Sequence, residues 1–408
     1  MIRFRYAAIV PALFAVLPFA VSAQGAQDSY AAAPPASVSD TSGKTTVPIT
    51  LQGVHIYLDA TINGKPARFV LDSGAGANIL TPEAAQRLGL TLDLGEGRAT
   101  GAQTVTTRHT TVDRLQIGNA TLSRESVYVV ALPAELGCDG LLGYSVLSRF
   151  VTTVDYENNT LTLALPRNAE RPKGPNVTAL PLSFSDNLPL IPGTLDGIKG
   201  KFRLDTGAGD ALTLFPAFVD RYKIRARYPK RLETVTGKGV GGLLYGELVK
   251  INAFTLGTGK NAAEVKNVPV EISRRGQGAF SEDDESGNIG GYILRRFTVT
   301  FDYPAKRVYF KPNKEIADPF TQNRSGLSVS LENGRQQVVA VIAGSPGAEA
   351  GVRVGDTLLA VDGVGVDKLS PSQIREAFRR GVGTKIELLV RAENAEPRKA
   401  NLTLRDLL

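Results

Sequence analysis

Two stretches of this chain are copies of one another. Phe69-Val70-Leu71-Asp72-Ser73-Gly74-Ala75-Gly76 matches Phe202-Arg203-Leu204-Asp205-Thr206-Gly207-Ala208-Gly209. Further on, residues 139–156 align without gaps to 286–303. They share Gly140/Gly287, Gly143/Gly290, Leu147/Leu294, Arg149/Arg296, Phe150/Phe297 and Asp155-Tyr156/Asp302-Tyr303. The offset between copies is 133 residues at the first motif and 147 at the second, so the later copy carries 14 extra residues, assigned here to loops such as the acidic segment around Asp283. A duplicated unit has to fold the same way twice. With 408 residues and about 150 per domain, there is room for two such units and one more domain.

Within each copy, short β-branched segments are broken by Gly, Pro, Asn and Asp. One example is residues 55–62 followed by Asn63-Gly64, a hairpin signal. Helical signals are brief: Thr81-Pro82-Glu83 supplies a cap, a first-turn Pro and an acidic first turn, and Gly89 stops the helix. Residues 149–156 and 296–303 read as closing strands. The class is mainly β, each copy suiting a small closed or partly closed β-barrel. Two His and one Cys cannot build a Cys/His zinc cluster, and no HExxH or GxSxG string occurs. Carboxylates must therefore carry any acid–base chemistry, with no metal or organic cofactor expected. Basic residues are scattered, in clusters no larger than Arg274-Arg275 or Arg379-Arg380, and the net charge of +7 does not indicate a nucleic-acid partner.

A Leu-Asp-(Ser/Thr)-Gly-Ala string at the end of an apolar strand, present twice, places two carboxylates where they can share a proton. One would then act as base on a water while the other donates to a substrate carbonyl. The Ser73 and Thr206 hydroxyls can hold the loops by hydrogen bonds, and Gly74 and Gly207 admit close backbone approach. These motifs resemble the retropepsin-like and pepsin-like aspartic protease superfamily over residues 48–312. The superfamily's downstream apolar-apolar-Gly element is matched by Leu141-Leu142-Gly143 and, less fully, by Ile289-Gly290 after Asn288. The resemblance implies that Asp72 and Asp205 are the catalytic dyad of an intramolecular pseudo-dimer, supported by Ser73, Gly74, Thr206, Gly207, Leu142, Gly143, Ile289 and Gly290. Copy length favours the smaller retropepsin-like unit. Flap hairpins are expected near 99–102 and 235–238. Arg203 either faces solvent by strand alternation or points at the dyad, where it would favour ionised Asp205. His55 and His109 read as structural or exposed, and Cys138 as a small buried hydrophobe.

From about Arg324 the texture changes. Residues 345–363, SPGAEAGVRVGDTLLAVDG, preceded by Gly326-Leu327-Ser328-Val329, resemble a bacterial PDZ domain. Ser370-Pro371 caps a helix whose apolar face is Ile374, Ala377 and Phe378. The resemblance implies an extended peptide bound by strand addition, its C-terminal carboxylate held by the loop Gly326, Leu327, Ser328 and Val329. Ser328 stands where the family often has Gly.

Arg3 and Arg5 before an apolar run at 7–20, then Val21-Ser22-Ala23, read as a signal peptide cleaved before Gln24. The run is too short for the roughly 20 residues of a membrane span. These readings divide the chain into a signal peptide (1–23), a flexible leader (24–46) outside the fold, retropepsin-like domains at 47–166 and 176–313, and a PDZ domain at 322–408. The expected protein is an exported, periplasmic aspartic endopeptidase, monomeric, without a membrane span once mature, acting on peptides or unfolded proteins that the PDZ domain recruits. Two alternatives stand beside it: a non-catalytic peptide-binding scaffold on the same fold, and an oligomer in which each copy pairs with another chain.

Overall fold

The computed structural model describes residues 36–93, 97–100, 103–239, 242–258, 262–275 and 283–408. The expected signal peptide and most of the expected leader lie outside the described residues. Strand His55–Ile62 turns through Asn63 and Gly64, with φ of 50° and 81°, into strand Lys65–Leu71, the two-residue hairpin that an Asn-Gly pair favours. Gly140–Leu142 then lies parallel to Lys65–Leu71, with Leu142 opposite Leu71, and antiparallel to Ile79–Leu80. The later half has the same arrangement. Gly287–Ile289 runs parallel to Ile198–Leu204, with Ile289 opposite Leu204, and antiparallel to Leu212–Leu214. In each half an Asp is the first residue past the central strand. Helix Pro82–Leu88 forms as its signals predict, with the Thr81 side chain accepting from Ala84 N and Gly89 left-handed at its end.

The closing strands of the two halves pair with each other. Val151–Asp155 lies antiparallel to Phe297–Asp302 with Thr153 opposite Thr300, and the two hydroxyls are 2.9 Å apart. They sit at the centre of a six-stranded sheet completed by strands from both halves. One apolar core runs through both, including Phe69 and Phe150 from the first half and Phe202 and Phe297 from the second. The copies therefore meet within one chain and are not separately packed domains.

Part of the expected flexible leader, residues 36–46, belongs to the fold. Ser37–Val38 pairs with Ala120–Val129, and Lys44–Pro48 is the outer strand of the shared sheet, paired with Thr160–Ala164. Thr45 is buried and Val47 packs on the core, the inward positions of an alternating edge strand. The inserted acidic loop is partly buried: Glu285 and Ser286 lie inside, whereas residues 276–282 lie outside the described residues.

Residues from Leu327 onward form a separate six-stranded sheet with its own core of Leu327, Val338, Leu358, Ile374, Phe378 and Leu388. Helix Pro371–Arg379 carries the predicted apolar face and a capping box between Ser370 and Gln373. Strand Leu327–Glu332 is terminal in this sheet, so its outer edge has no strand partner among the described residues.

Candidate active site

Strand pairing carries the backbone into each Asp loop. Asp72 N donates to Leu142 O (2.9 Å) and Asp205 N to Ile289 O (3.0 Å), so Leu142 and Ile289 act through their carbonyls. The loops then cross. Ser73 N donates to Thr206 Oγ1 (2.9 Å) and Thr206 N to Ser73 Oγ (3.0 Å). Ser73 Oγ donates to Leu204 O (2.8 Å) and Thr206 Oγ1 to Leu71 O (2.8 Å). Each hydroxyl holds the opposite copy's loop rather than its own, which is what ties the two carboxyls together.

Gly74 and Gly207 are needed for space. A Cβ on Gly74 would lie 2.5 Å from Asp205 Cγ, and one on Gly207 would lie 2.4 Å from Asp72 Cγ. Their N–H groups donate to Asp72 Oδ1 (2.8 Å) and Asp205 Oδ1 (2.9 Å) respectively. Gly143 and Gly290 pack beneath: a Cβ there would lie 2.3 Å from Ala75 O or from Asp210 Oδ1.

Both carboxyls are fully buried. Asp72 Oδ2 receives no N–H or hydroxyl donor, and the side-chain hydrogen bond open to Asp72 is with Asp205, a bond that needs one proton between them. Burial pushes Asp72 up to about 6, and burial with the charge of Asp72 pushes Asp205 well above the ordinary carboxylate range. Such a pair titrates jointly, holding one proton across a span of pH. It is the arrangement that can deprotonate a water on one side and protonate a carbonyl oxygen on the other.

Two polar residues here lie outside the sequence motifs. Asn288 Nδ2 donates to Asp205 Oδ2 (3.1 Å), where the first copy has Leu141, and that substitution of amide for alkyl was the available signal. Asp210, at the position of Ala77 in the first copy, is buried and accepts from Thr213 Oγ1 (2.5 Å), and burial pushes it up to about 7. Because Asn288 favours ionised Asp205, Asn288→Leu is expected to move the upper limb of the pair's pH profile to higher pH. Titration of the pair by carboxyl NMR checks this, and an unmoved profile would exclude the role.

Arg203 takes neither expected orientation. It is buried, its guanidinium pairs with Glu285 and it stacks over the Phe215 ring at 5.1 Å. A buried arginine needs a carboxylate, and the inserted loop supplies one. His55 is buried beside Gly207, where burial lowers its pKa to about 4. His109 lies at the surface, 3.2 Å from Asp93. Cys138 is half-buried beside the apolar cluster around Tyr57, and burial pushes its thiol up to about 12.

Ala99 and Thr100 lie in a hairpin of Gly97–Thr100 with Thr104–Ile117, whereas Gly101 and Ala102 lie outside the described residues. Val235 to Lys238 lie in the hairpin of Leu232–Gly239 with Gly242–Leu256, bulged between Val235 and Gly237. The hairpin tips approach each other: a Cβ on Gly242 would lie 3.8 Å from Gln103 Nε2. In the C-terminal domain Gly326 is left-handed (φ 70°) as a tight loop requires. The expected carboxylate capture there is altered, since Gly326 N already donates to Asn323 Oδ1 (3.2 Å) and Leu327 N to Ser325 Oγ (3.0 Å).

Among the described residues, no group of three His, Cys, Asp or Glu side chains is set to hold a metal ion, and no helix is long and apolar enough to cross a membrane. A family profile described as aspartyl protease matches residues 58–146, and one described as PDZ domain matches residues 337–392. No curated protein matches the chain. Among solved structures it is similar to a retropepsin-like aspartic protease from Rickettsia conorii, at 26% identity over 30% of this chain and 90% of that one, with a TM-score of 0.23. Residues 58–146 thus match an aspartyl-protease family and, C-terminal to them, residues 337–392 match a PDZ domain.

Proposed function

We propose that this protein is an exported aspartic endopeptidase in which Asp72 and Asp205, from one chain, share a proton and activate a water. The observation that carries the reading is the crossed Ser73/Thr206 bonding, which holds two buried carboxyls against each other's glycine loops. The ionised carboxyl takes a proton from the water as its oxygen bonds to the scissile carbonyl carbon, and the protonated carboxyl gives its proton to the carbonyl oxygen. Collapse of the tetrahedral gem-diol breaks the C–N bond: the amine nitrogen takes the proton held by one carboxyl, and a gem-diol hydroxyl returns its proton to the ionised carboxyl as the C=O bond reforms, which restores the one-proton pair. Leu142, Gly143, Ile289 and Gly290 position the loops. The PDZ domain recruits substrate along the outer edge of Leu327–Glu332 by strand addition. The 1–23 segment directs export to the periplasm. One chain suffices, because both carboxyls belong to it.

Full burial of the pair favours a second reading, a non-catalytic peptide-binding protein. Turnover separates the two. The purified chain from Gln24, incubated with a pool of unstructured peptides from pH 3 to 8, is expected to give defined cleavage products by mass spectrometry. A folded chain that yields none at any pH would overturn the endopeptidase reading.

A further inference from the structure

Helix Pro371–Arg379 closes one side of the PDZ groove, and it also reaches into the protease half. Ile374, Ala377 and Phe378 face the PDZ core, which leaves Arg375 and Arg379, one turn apart, on another face. The Arg379 guanidinium lies over the Tyr292 ring, 4.6 Å from its centre. Tyr292 follows Gly290-Gly291 directly. Arg375 interacts with Tyr57 and Glu135 of the first copy. Residues of the PDZ groove (Leu327, Val329, Phe378) and of the protease half (Asp210, Glu271, Val235) line one shared cavity of about 180 Å³.

The later-copy hairpin is fastened to the same domain. Lys238 Nζ bonds Glu332 Oε1 (2.9 Å), Leu331 O (3.3 Å) and Ser330 Oγ (3.4 Å), and also reaches Glu135 Oε1 (3.2 Å) of the first copy. Val235 packs on Val339.

The part of the cavity that Arg379 enters has the chemistry of a guanidinium site. Glu271 stands opposite Thr213 in the strand register, and the Thr213 hydroxyl donates to Asp210 Oδ2. Asp210 lines the cavity at 8% exposure, and its Oδ1 has no hydrogen-bond donor. Burial and the charge of Asp210 push Glu271 well above the ordinary range, and the opposing cation is Arg379. Two carboxyl groups and an aromatic face suit a planar cation, whose charge in turn favours the ionised carboxyls. Arg379 fills this role incompletely: its ion pair within 4 Å is with Glu376 of its own helix, at 3.8 Å. Held by that helix, it faces Glu271 without closing a pair, which leaves an unclosed charge contact for a free peptide side chain to make.

We propose that Asp210, Glu271 and Tyr292 form a subsite for an arginine or lysine side chain of the peptide substrate, and that Arg379 of the PDZ helix occupies it as a tethered stand-in when the chain is closed. A basic peptide entering the cleft displaces Arg379 and loosens the PDZ domain from the hairpin. The proposal deepens the endopeptidase reading by naming its substrate class, and it is tested by binding, so that its failure is separate from a failure of that reading.

The experiment uses the full chain carrying Asp72→Asn, with fluorescein-labelled, C-terminally amidated ten-residue peptides in which one Arg is scanned along the sequence. Each has a citrulline counterpart, and amidation removes any contribution from carboxylate capture. Anisotropy is expected to show one register in which the Arg peptide binds about 10- to 100-fold more tightly than its citrulline twin, the range of a charge-assisted hydrogen bond. Glu271→Gln should bring that ratio close to one. Arg379→Gln should raise affinity for the Arg peptide several-fold, and it also serves as the second variant if Glu271→Gln does not fold. Equal binding of Arg and citrulline peptides in every register, or no binding even with Arg379→Gln, would overturn the subsite. Unchanged affinity on Arg379→Gln would overturn the tethered occupancy. An Arg preference in a chain whose Asp72 parent cleaves nothing would leave the subsite standing and remove the endopeptidase reading.

Discussion

Asp72→Asn and Asp205→Asn are each expected to lower peptide cleavage by about 10²- to 10⁴-fold, the scale of a lost general acid or base, while the folded state gains stability at neutral pH. The two effects have one cause. Asp72 titrates at about 6 in the folded chain against 3.8 for an exposed Asp, and Asp205 is raised further in the same direction. The folded state therefore binds more protons than the unfolded state between these values. Each carboxyl costs stability as pH rises from about 4 through its folded pKa, and the cost is full above it. Asn has the same shape and no charge to desolvate. Thermal melts at pH 8 should show the variants equal to or above the parent, beside kinetics on any peptide that the parent cleaves. Activity retained in either variant would exclude the pair as catalyst, and a large loss of melting temperature would mean that the carboxyls serve the fold instead.

Thr206→Val carries the largest expected effect on stability. Removing Oγ1 leaves the Ser73 N–H without its acceptor and Leu71 O without its donor, both inside the junction between copies. At about 1–3 kcal/mol for each stranded group, the loss is about 2–6 kcal/mol, read from the urea midpoint at constant slope. Thr206→Ser keeps both bonds and should recover most of it. Activity should fall with Thr206→Val even where the chain remains folded, since the same bonds set the approach of the two carboxyls. A loss under about 0.5 kcal/mol would show that the cross-bonding does not hold the halves together.

Asn288, Asp210 and Glu271 mark where reading the residues stopped short. Asn288 and Asp210 break the repeat, each replacing an apolar residue of the first copy, so the signal was present and its direction was not. A polar residue on a buried strand says that it has a partner, but the partner of Asn288 is Asp205, 83 residues away. Glu271 gave no signal at all, since an acidic residue in an alternating strand reads as solvated until the PDZ helix is laid over it. Arg203 shows the same limit: strand alternation put it on the face away from Phe202 and Leu204, and only the inserted loop decided that this face is covered by Glu285.

Short-range chemistry was legible from the residues alone. Asn63-Gly64 determined a hairpin, Thr81-Pro82 and Ser370-Pro371 determined helix starts, and the doubled Leu-Asp-(Ser/Thr)-Gly string determined that two carboxyls would end equivalent strands. These depend on backbone preferences and on partners within a few positions. The tertiary structure decided that Ser73 and Thr206 bond each other's loops, that Lys44–Pro48 completes the shared sheet, and that Arg379 lies on Tyr292. Each of those contacts joins residues that are far apart in sequence, and such pairings are set by how whole faces dock, because buried polar groups take whichever donor or charge the docking brings within reach.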